Sequence, residues 1–212
     1  MRLRLSTTVL NLLFPEHCFA CGKAKTLLCE ACLRKLPPPE RLPPLHIEAL
    51  LDYQNPTVRK IIWYIKYKNA LSLIRIIGKR MSQKLSPTLS TDYKHLLIPI
   101  PIRPNRLRKR GYNQAELLAM AIKDNDKSMS FRIASNVLYI IRDTEIQSGI
   151  KDRETRLRNL KGFFGLKNKS LIKNQRVILV DDVTTTGATI NEARKLLLRN
   201  GAASVRAFTV AH

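Results

Sequence analysis

A chain of 212 residues, 44% of them apolar, can bury one ordinary α/β domain plus a small appendage, which excludes general disorder and a string of large domains. Its 38 Lys+Arg against 16 Asp+Glu leave a formal net charge of +22. An excess that large points to a polyanion, nucleic acid first and an anionic membrane surface second, with a merely solvated basic face as the plain alternative.

The opening "MRLRLSTTVLNLLFPEHC" sets basic residues before an apolar run, as a secretion signal does. Thr7, Thr8 and Asn11 interrupt that run and no small-residue cleavage site follows. Leu5, Val9, Leu12 and Leu13 instead predict one docking face of a short helix. No stretch approaches the ~20 apolar residues of a membrane span. The expected location is cytoplasmic, with peripheral contact at the inner face of the membrane open through the basic helix.

Next comes "CFACGKAKTLLCEAC", holding the chain's four cysteines, Cys18, Cys21, Cys29 and Cys32, as two C-x-x-C pairs. Each such turn brings two sulfurs to one side, Gly22 permitting the first bend, and two turns together offer a tetrahedral four-sulfur site. Structural Zn²⁺ is the first reading, and iron, redox dithiols or disulfides are the others. Four thiolates leave no open position, so the metal would build structure and not catalyse. His17 is a spare ligand that four cysteines make unnecessary. "LPPPERLPPL" follows, and five prolines in ten residues predict an extended connector. The expected division is a helix and metal module over 1–36, a linker over 37–45 and the main domain over 46–212.

From Ile47 the pattern alternates. "IEALLDY" predicts a strand, and "PTVRKIIWYIKYKN" a helix with proline in its first turn and Val58, Ile61, Ile62 and Ile65 inside. "ALSLIRIIGKRMSQKL" is a second helix, "HLLIPIP" a short buried strand, and "YNQAELLAMAI" a helix opening near Asn113. "NVLYIIR" and "RVILV" are further strands. A helix from Thr189 to Asn200 stops at Gly201, and "SVRAFTV" ends the chain as a strand. The expected fold class is α/β, a mostly parallel sheet flanked by helices on both faces. Ligands sit at the carboxyl ends of the strands in such sheets, which directs attention to the loops after "LLIP" and "VILV".

After "VILV" come Asp181 and Asp182, carboxylates able to accept hydrogen bonds from the vicinal hydroxyls of a sugar. The run "TTTGAT" adds hydroxyls, backbone N–H groups and a permissive glycine at a helix start, a cradle for one phosphate. A capped strand end is the structural alternative. After "LLIP", Arg103, Arg106, Arg108, Lys109 and Arg110 fall within eight residues, followed by Gly111. Guanidinium groups bind phosphate oxygens in pairs, so this loop suits pyrophosphate, although charge runs are often solvated faces. Arg110 and Gly111 are the strongest candidates. Lys66 and Lys68 are weaker ones, open to being surface residues.

"VILVDDVTTTGAT" resembles the signature by which type I phosphoribosyltransferases bind 5-phosphoribosyl 1-pyrophosphate (PRPP). The resemblance implies that Asp181 and Asp182 hold the ribose hydroxyls, and that Thr185, Thr186, Gly187, Ala188 and Thr189 wrap the 5-phosphate. Thr184 stands where the signature has an apolar residue and is left out. "IPIPIRPNRLRKRGYNQAELLA" resembles the hallmark segment of the ComF family, competence-associated phosphoribosyltransferase-like proteins. "LLFPEHCFACG" with the second C-x-x-C resembles that family's zinc module, and "YIKYKN" its Lys-Tyr segment. "RETRLRNLKGFF" resembles its Arg-x-x-Asn element, carried by Arg156 and Asn159 with Gln147 weakly attached.

Two functions follow from the resemblance. One is a PRPP-binding protein of natural transformation that handles incoming single-stranded DNA beside a membrane channel or helicase. The other is an active phosphoribosyltransferase, with Asp181, Asp182 and Arg110 as its catalytic residues and an unidentified nitrogen acceptor in a housekeeping role. Mg²⁺ would accompany PRPP, and the segment from Asp143 to Lys161 would cover the site. Trp63, Tyr64 and Tyr67 lie among Lys60, Lys66 and Lys68, an arrangement that stacks bases in single-strand binders. The favoured reading of Trp63 is nonetheless core packing.

Overall fold

The structure, a computed structural model, describes residues 16–85, 94–128, 130–141 and 162–212. The helix expected before residue 16, the Asp143–Lys161 cover and positions Gln147, Arg156 and Asn159 lie outside the described residues. A five-stranded sheet runs in the order β1 (Ile47–Leu51), β7 (Ser204–Ala211), β6 (Arg176–Val183), β2 (His95–Pro99) and β3 (Phe131–Ile133). Every pairing in it is parallel. The "NVLYIIR" run forms β4 (Leu138–Ile140), which joins β5 (Phe164–Leu166) in a separate antiparallel ribbon. The edge strand beside β2 is instead the three-residue β3, too short to show a period.

Alternate residues of each strand serve opposite layers. Ile178 and Val180 of β6 pack with α2 (Pro56–Tyr67), α3 (Leu71–Leu85) and α5 (Gln114–Asp124). Val177 and Leu179 pack with α6 (Ala188–Arg199) and the ribbon. The helices start where their caps dictate: Asn55 accepts from the N–H groups of Thr57 and Val58 ahead of Pro56, and Asn113 accepts from Ala115. A methyl group on Gly78 would strike Ala121, so α3 and α5 meet almost backbone to backbone.

The cysteine segment, which includes α1 (Glu30–Lys35), is not set apart from this core. Leu27, Leu28 and Leu33 are buried in the layer that holds α2 and α3, and the Phe19 ring centroid lies 4.7 Å from that of Tyr64. The proline-rich stretch is tied down as well: Asp52 N–H donates to Pro37 O at 2.9 Å and Ile47 N–H to Pro44 O at 2.7 Å.

After β2 the chain passes to α5 on one face, and after β6 to α6 on the other. These strands are neighbours, with Pro99 in register with Val180. Loops departing to opposite faces part a crevice between them, the place where open α/β sheets take ligands.

Candidate functional site

Strand β6 continues past the apolar run and carries the acidic pair within its ladder. Asp181 registers with Thr209 and Val183 with Ala211, because β7 extends equally far. Asp181 and Asp182 therefore leave the strand on opposite faces and straddle the sheet end. Asp182 N–H donates to Asp181 Oδ1 at 2.8 Å, and Val183 N–H to Asp182 Oδ1 at 2.8 Å. Asp182 is buried, and Lys66 Nζ lies 3.2 Å from its Oδ2 in an ion pair without hydrogen-bond alignment. Burial and then the neighbouring Asp182 carboxylate push Asp181 well above the usual carboxylate range; the Asp182 N–H and Lys66 oppose this and are outweighed.

Thr184 is buried and donates its N–H to Ala211 O at 3.0 Å, which ends the ladder. Thr185 and Thr186 are exposed and line the crevice. Gly187 takes a left-handed φ of 72° before Ala188 opens α6, and a Cβ on it would sit 2.8 Å from Ile47 Cδ1. The left-handed backbone strains any side chain there, and the Ile47 methyl would have to move aside as well.

The basic stretch is a helix, α4 (Pro104–Arg110), where the sequence suggests a loop. Pro104 supplies a ready-made first turn, and Gly111 at φ 80° ends it in a left-handed cap. Helical spacing sorts the cations. Arg103, Arg106 and Arg110 line the cleft; Arg108 and Lys109 face away, exposed. Arg103 lies with Cζ 5.4 Å from the Phe163 ring centroid. Arg110 donates from Nη1 to Gln114 Oε1 at 3.0 Å and sits 5.0 Å from the Tyr67 ring centroid.

Tyr112, which the sequence reading passed over, joins "YIKYKN" to "RGYNQ". Its hydroxyl donates to Ile65 O at 2.7 Å and accepts from Asn69 N–H at 3.1 Å. Asn113 Nδ2 donates to Ile100 O at 3.1 Å, fixing the same turn to the end of β2. Lys66 is thereby held inside the cleft, while Lys68 stays outside, 5.5 Å from the Trp63 ring centroid. Core packing of Trp63 is corrected: its side of α2 lies opposite Val58, Ile61, Ile62 and Ile65, and it is 47% exposed. The cleft encloses about 440 Å³ between the acidic strand end, the arginine helix and an apolar wall of Ile140 and Phe163. Gln114, Ile140 and Phe163 were also missed. Only Gln114 carried a signal, its place directly after "RGYN".

The second cluster is the cysteines. All four sulfurs lie within 4.8 Å of one another, with Cys29 Sγ 3.9 Å from Cys18 Sγ and 3.8 Å from Cys21 Sγ. Tetrahedral sulfur ligands around one zinc-sized ion stand about 3.8 Å apart. Burial pushes the Cys18 thiol up, but the N–H groups of Ala20, Cys29 and Cys21 together bring it down to about 6. Cys32, with the neighbouring Cys29 thiol as the largest cause, is pushed up to about 12. Sulfurs so crowded cannot all ionise unaided, and a bound cation resolves the conflict. The four residues form a site that can hold a metal ion.

Fold and cleft together define a class. The phosphoribosyl transferase domain model matches residues 107–212, which places the chain among phosphoribosyltransferase-type proteins with a parallel sheet flanked by helices. Hypoxanthine phosphoribosyltransferase of Trypanosoma cruzi overlaps loosely, with a TM-score of 0.39 at 14% identity over 72% of this chain and 64% of that one. The sequence relatives are more specific. The chain is 31% identical to the DNA utilization protein YhgH of Escherichia coli O6:H1, over 89% of this chain and 81% of that one. It is 27% identical to competence protein F of Haemophilus influenzae over 93% and 85% respectively. With Bacillus subtilis competence protein ComFC it shares 31% identity over 74% of this chain and 60% of that one. The chain belongs to the ComF family of phosphoribosyltransferase-like proteins.

Proposed function

We propose that the cleft binds PRPP with Mg²⁺ and that the protein acts in natural transformation on incoming single-stranded DNA. The observation that carries the first half is the pairing of walls: an acidic strand end with a threonine turn on one side, and Arg103, Arg106 and Arg110 on the other. Asp181 and Asp182 would accept from the ribose hydroxyls, and Thr185, Thr186, Gly187, Ala188 and Thr189 would hold the 5-phosphate at the start of α6. Arg103, Arg106 and Arg110 would take the pyrophosphate, with Gly111 allowing its backbone near. Mg²⁺, when bound, supplies positive charge to the pyrophosphate. Lys66 would pass from Asp182 toward that same anion as the ligand enters. In the metal module, Cys18, Cys21, Cys29 and Cys32 would hold structural Zn²⁺.

DNA handling rests on the +22 charge and on kinship with proteins named for competence and DNA utilization. It implies partners in the uptake machinery, a membrane channel or helicase, on the cytoplasmic side. No helix among the described residues is long and apolar enough to cross a membrane. The second reading, transfer of ribose 5-phosphate to a nitrogen acceptor, is favoured by the apolar wall of Ile140 and Phe163 facing the acidic pair. A flat base would lie there, and the arginines would stabilise departing pyrophosphate.

Calorimetric titration of Mg²⁺–PRPP into the wild type and into Asp181→Asn/Asp182→Asn tests the pocket. The double variant should keep its fold and zinc and lose affinity at least about 100-fold, since charge-assisted hydrogen bonds contribute about 1.5–3 kcal/mol each. A folded, zinc-loaded wild type that ignores PRPP refutes the assignment.

A further inference from the structure

The outer face of α2 carries a feature that the PRPP reading leaves unused. With Val58, Ile61, Ile62 and Ile65 inward, the opposite stripe presents Trp63 at 47% and Tyr67 at 55% exposure. Leaving two large rings in water forgoes burial that the core beneath could have supplied. The rings are not isolated. Centroids step from Phe19 to Tyr64 at 4.7 Å, from Tyr64 to Trp63 at 5.3 Å and from Trp63 to Tyr67 at 5.8 Å. Cations stand over three of them: Lys60 Nζ 4.5 Å from the Phe19 centroid, Lys68 Nζ 5.5 Å from that of Trp63, and Arg110 Cζ 5.0 Å from that of Tyr67. The helix itself contains no carboxylate. One end of the strip adjoins Cys18 of the metal module, and the other reaches Arg110 at the cleft.

Exposed π-faces alternating with cations, with no acid on their helix, complement a ligand that alternates flat faces with anions. That is the chemistry of an unpaired nucleic-acid strand. We infer that Trp63 and Tyr67 are a stacking platform for the bases of single-stranded DNA, with Tyr64 and Phe19 supporting them and Lys60, Lys68 and Arg110 reaching the phosphates between. The inference deepens the DNA-handling reading and rests on it. Bases and phosphates are engaged separately, so the two contributions can be measured separately: stacking through the rings, counterion release through the cations.

Trp63 is the only tryptophan, so its emission reports on this strip alone. The experiment titrates the full chain with an oligothymidylate and with an abasic oligomer of equal length, following Trp63 emission and, with labelled oligomers, anisotropy. The oligothymidylate should quench Trp63 and bind more tightly than the abasic strand. Trp63→Leu should lower oligothymidylate affinity about tenfold, the scale of one lost base stack, and leave abasic affinity and the salt slope unchanged. Trp63→Phe should recover most of the loss. Oligothymidylate binding with unaltered emission and no loss in Trp63→Leu overturns the platform and leaves the DNA reading standing. Failure of both oligomers to bind at low salt overturns the DNA reading and the platform with it. Quenching by anionic phospholipid vesicles but by neither oligomer makes the strip a membrane contact and overturns the inference. Should Trp63→Leu not fold, the wild-type emission titration decides alone.

Discussion

The cysteine cluster and the acidic pair both crowd like-charged groups together, and they relieve the repulsion by different means. The four sulfurs, all within 4.8 Å, have backbone N–H groups as their helpers, which stabilise some thiolates while leaving Cys32 protonated at about 12. The geometry of the cluster suits a cation, which would favour the thiolate forms. The carboxylates have a cation already, Lys66 at 3.2 Å from Asp182, while burial and the Asp182 carboxylate hold the Asp181 pKa well above the usual range. Four sulfurs at these distances can hold a metal ion that would balance their charge; the carboxylates are balanced by a side chain of the protein itself.

On the proposed zinc occupancy of the four cysteines, chelation should produce the largest effect. The module shares its core with α2 and α3 through Leu27, Leu28 and Leu33, so chelation under reducing conditions should lower Tm of the whole chain. Structural zinc contributes about 10–16 kcal/mol to small metal-folded domains. Even a fraction of that corresponds to a fall on the order of 10 °C or more in a chain of this size. A melt unchanged by chelation, with metal loss verified, would show that the module hangs on the domain without supporting it.

The carboxylate pair can be broken in two directions of opposite sign. Lys66→Met leaves Asp182 buried with its cation gone. Removing one partner of a buried pair costs about 3–5 kcal/mol, and with the Lys66 side chain 25% exposed the expected loss is nearer about 1–3 kcal/mol. Asp181→Asn should stabilise. Its folded-state pKa is raised above the unfolded one, so its contribution is full below the ordinary aspartate value and is lost as pH rises through the raised value. At neutral pH the asparagine form should therefore melt above the wild type, and the gap should close as pH falls to about 3.9. Thermal melts of the three proteins across pH check both signs. A destabilised Asp181→Asn would mean that the charged carboxylate is structural.

The two sites differed in how far they could be read from the sequence, for a physical reason. The cysteines and the "DDVTTTGAT" run are contiguous, so local turns suffice to assemble each, and spacing alone exposes them. Residues brought from afar left weaker traces. Lys66 enters the cleft at the end of α2 that Tyr112 fixes, a tie between segments that no local pattern announces. The strands and long helices were legible from their periods, whereas β3 was too short and β4 paired into a ribbon that an apolar run cannot distinguish from a sheet strand. For Trp63 hydrophobicity predicts burial, whereas the phase of Val58, Ile61, Ile62 and Ile65 places it outside.

Phase also yields the finest test of the comparison, since the cations facing the acidic pair come from a helix and not a loop. A loop would let all five basic residues crowd an anion; α4 and its N-cap Arg103 direct Arg103, Arg106 and Arg110 to the cleft and turn Arg108 and Lys109 outward. Arg106→Ala should weaken PRPP binding about tenfold, the scale of one charge-assisted contact. Arg108→Ala should leave PRPP affinity within about twofold, because surface changes away from a site move free energies by only about 0.5 kcal/mol. The same two variants titrated with single-stranded DNA at several salt concentrations separate surface from pocket: Arg108→Ala should reduce the salt slope by about 0.7, the share of one phosphate contact on a single strand. Equal losses of PRPP affinity in both variants would mean that the helix unwinds around the ligand and that the cleft is rebuilt on binding.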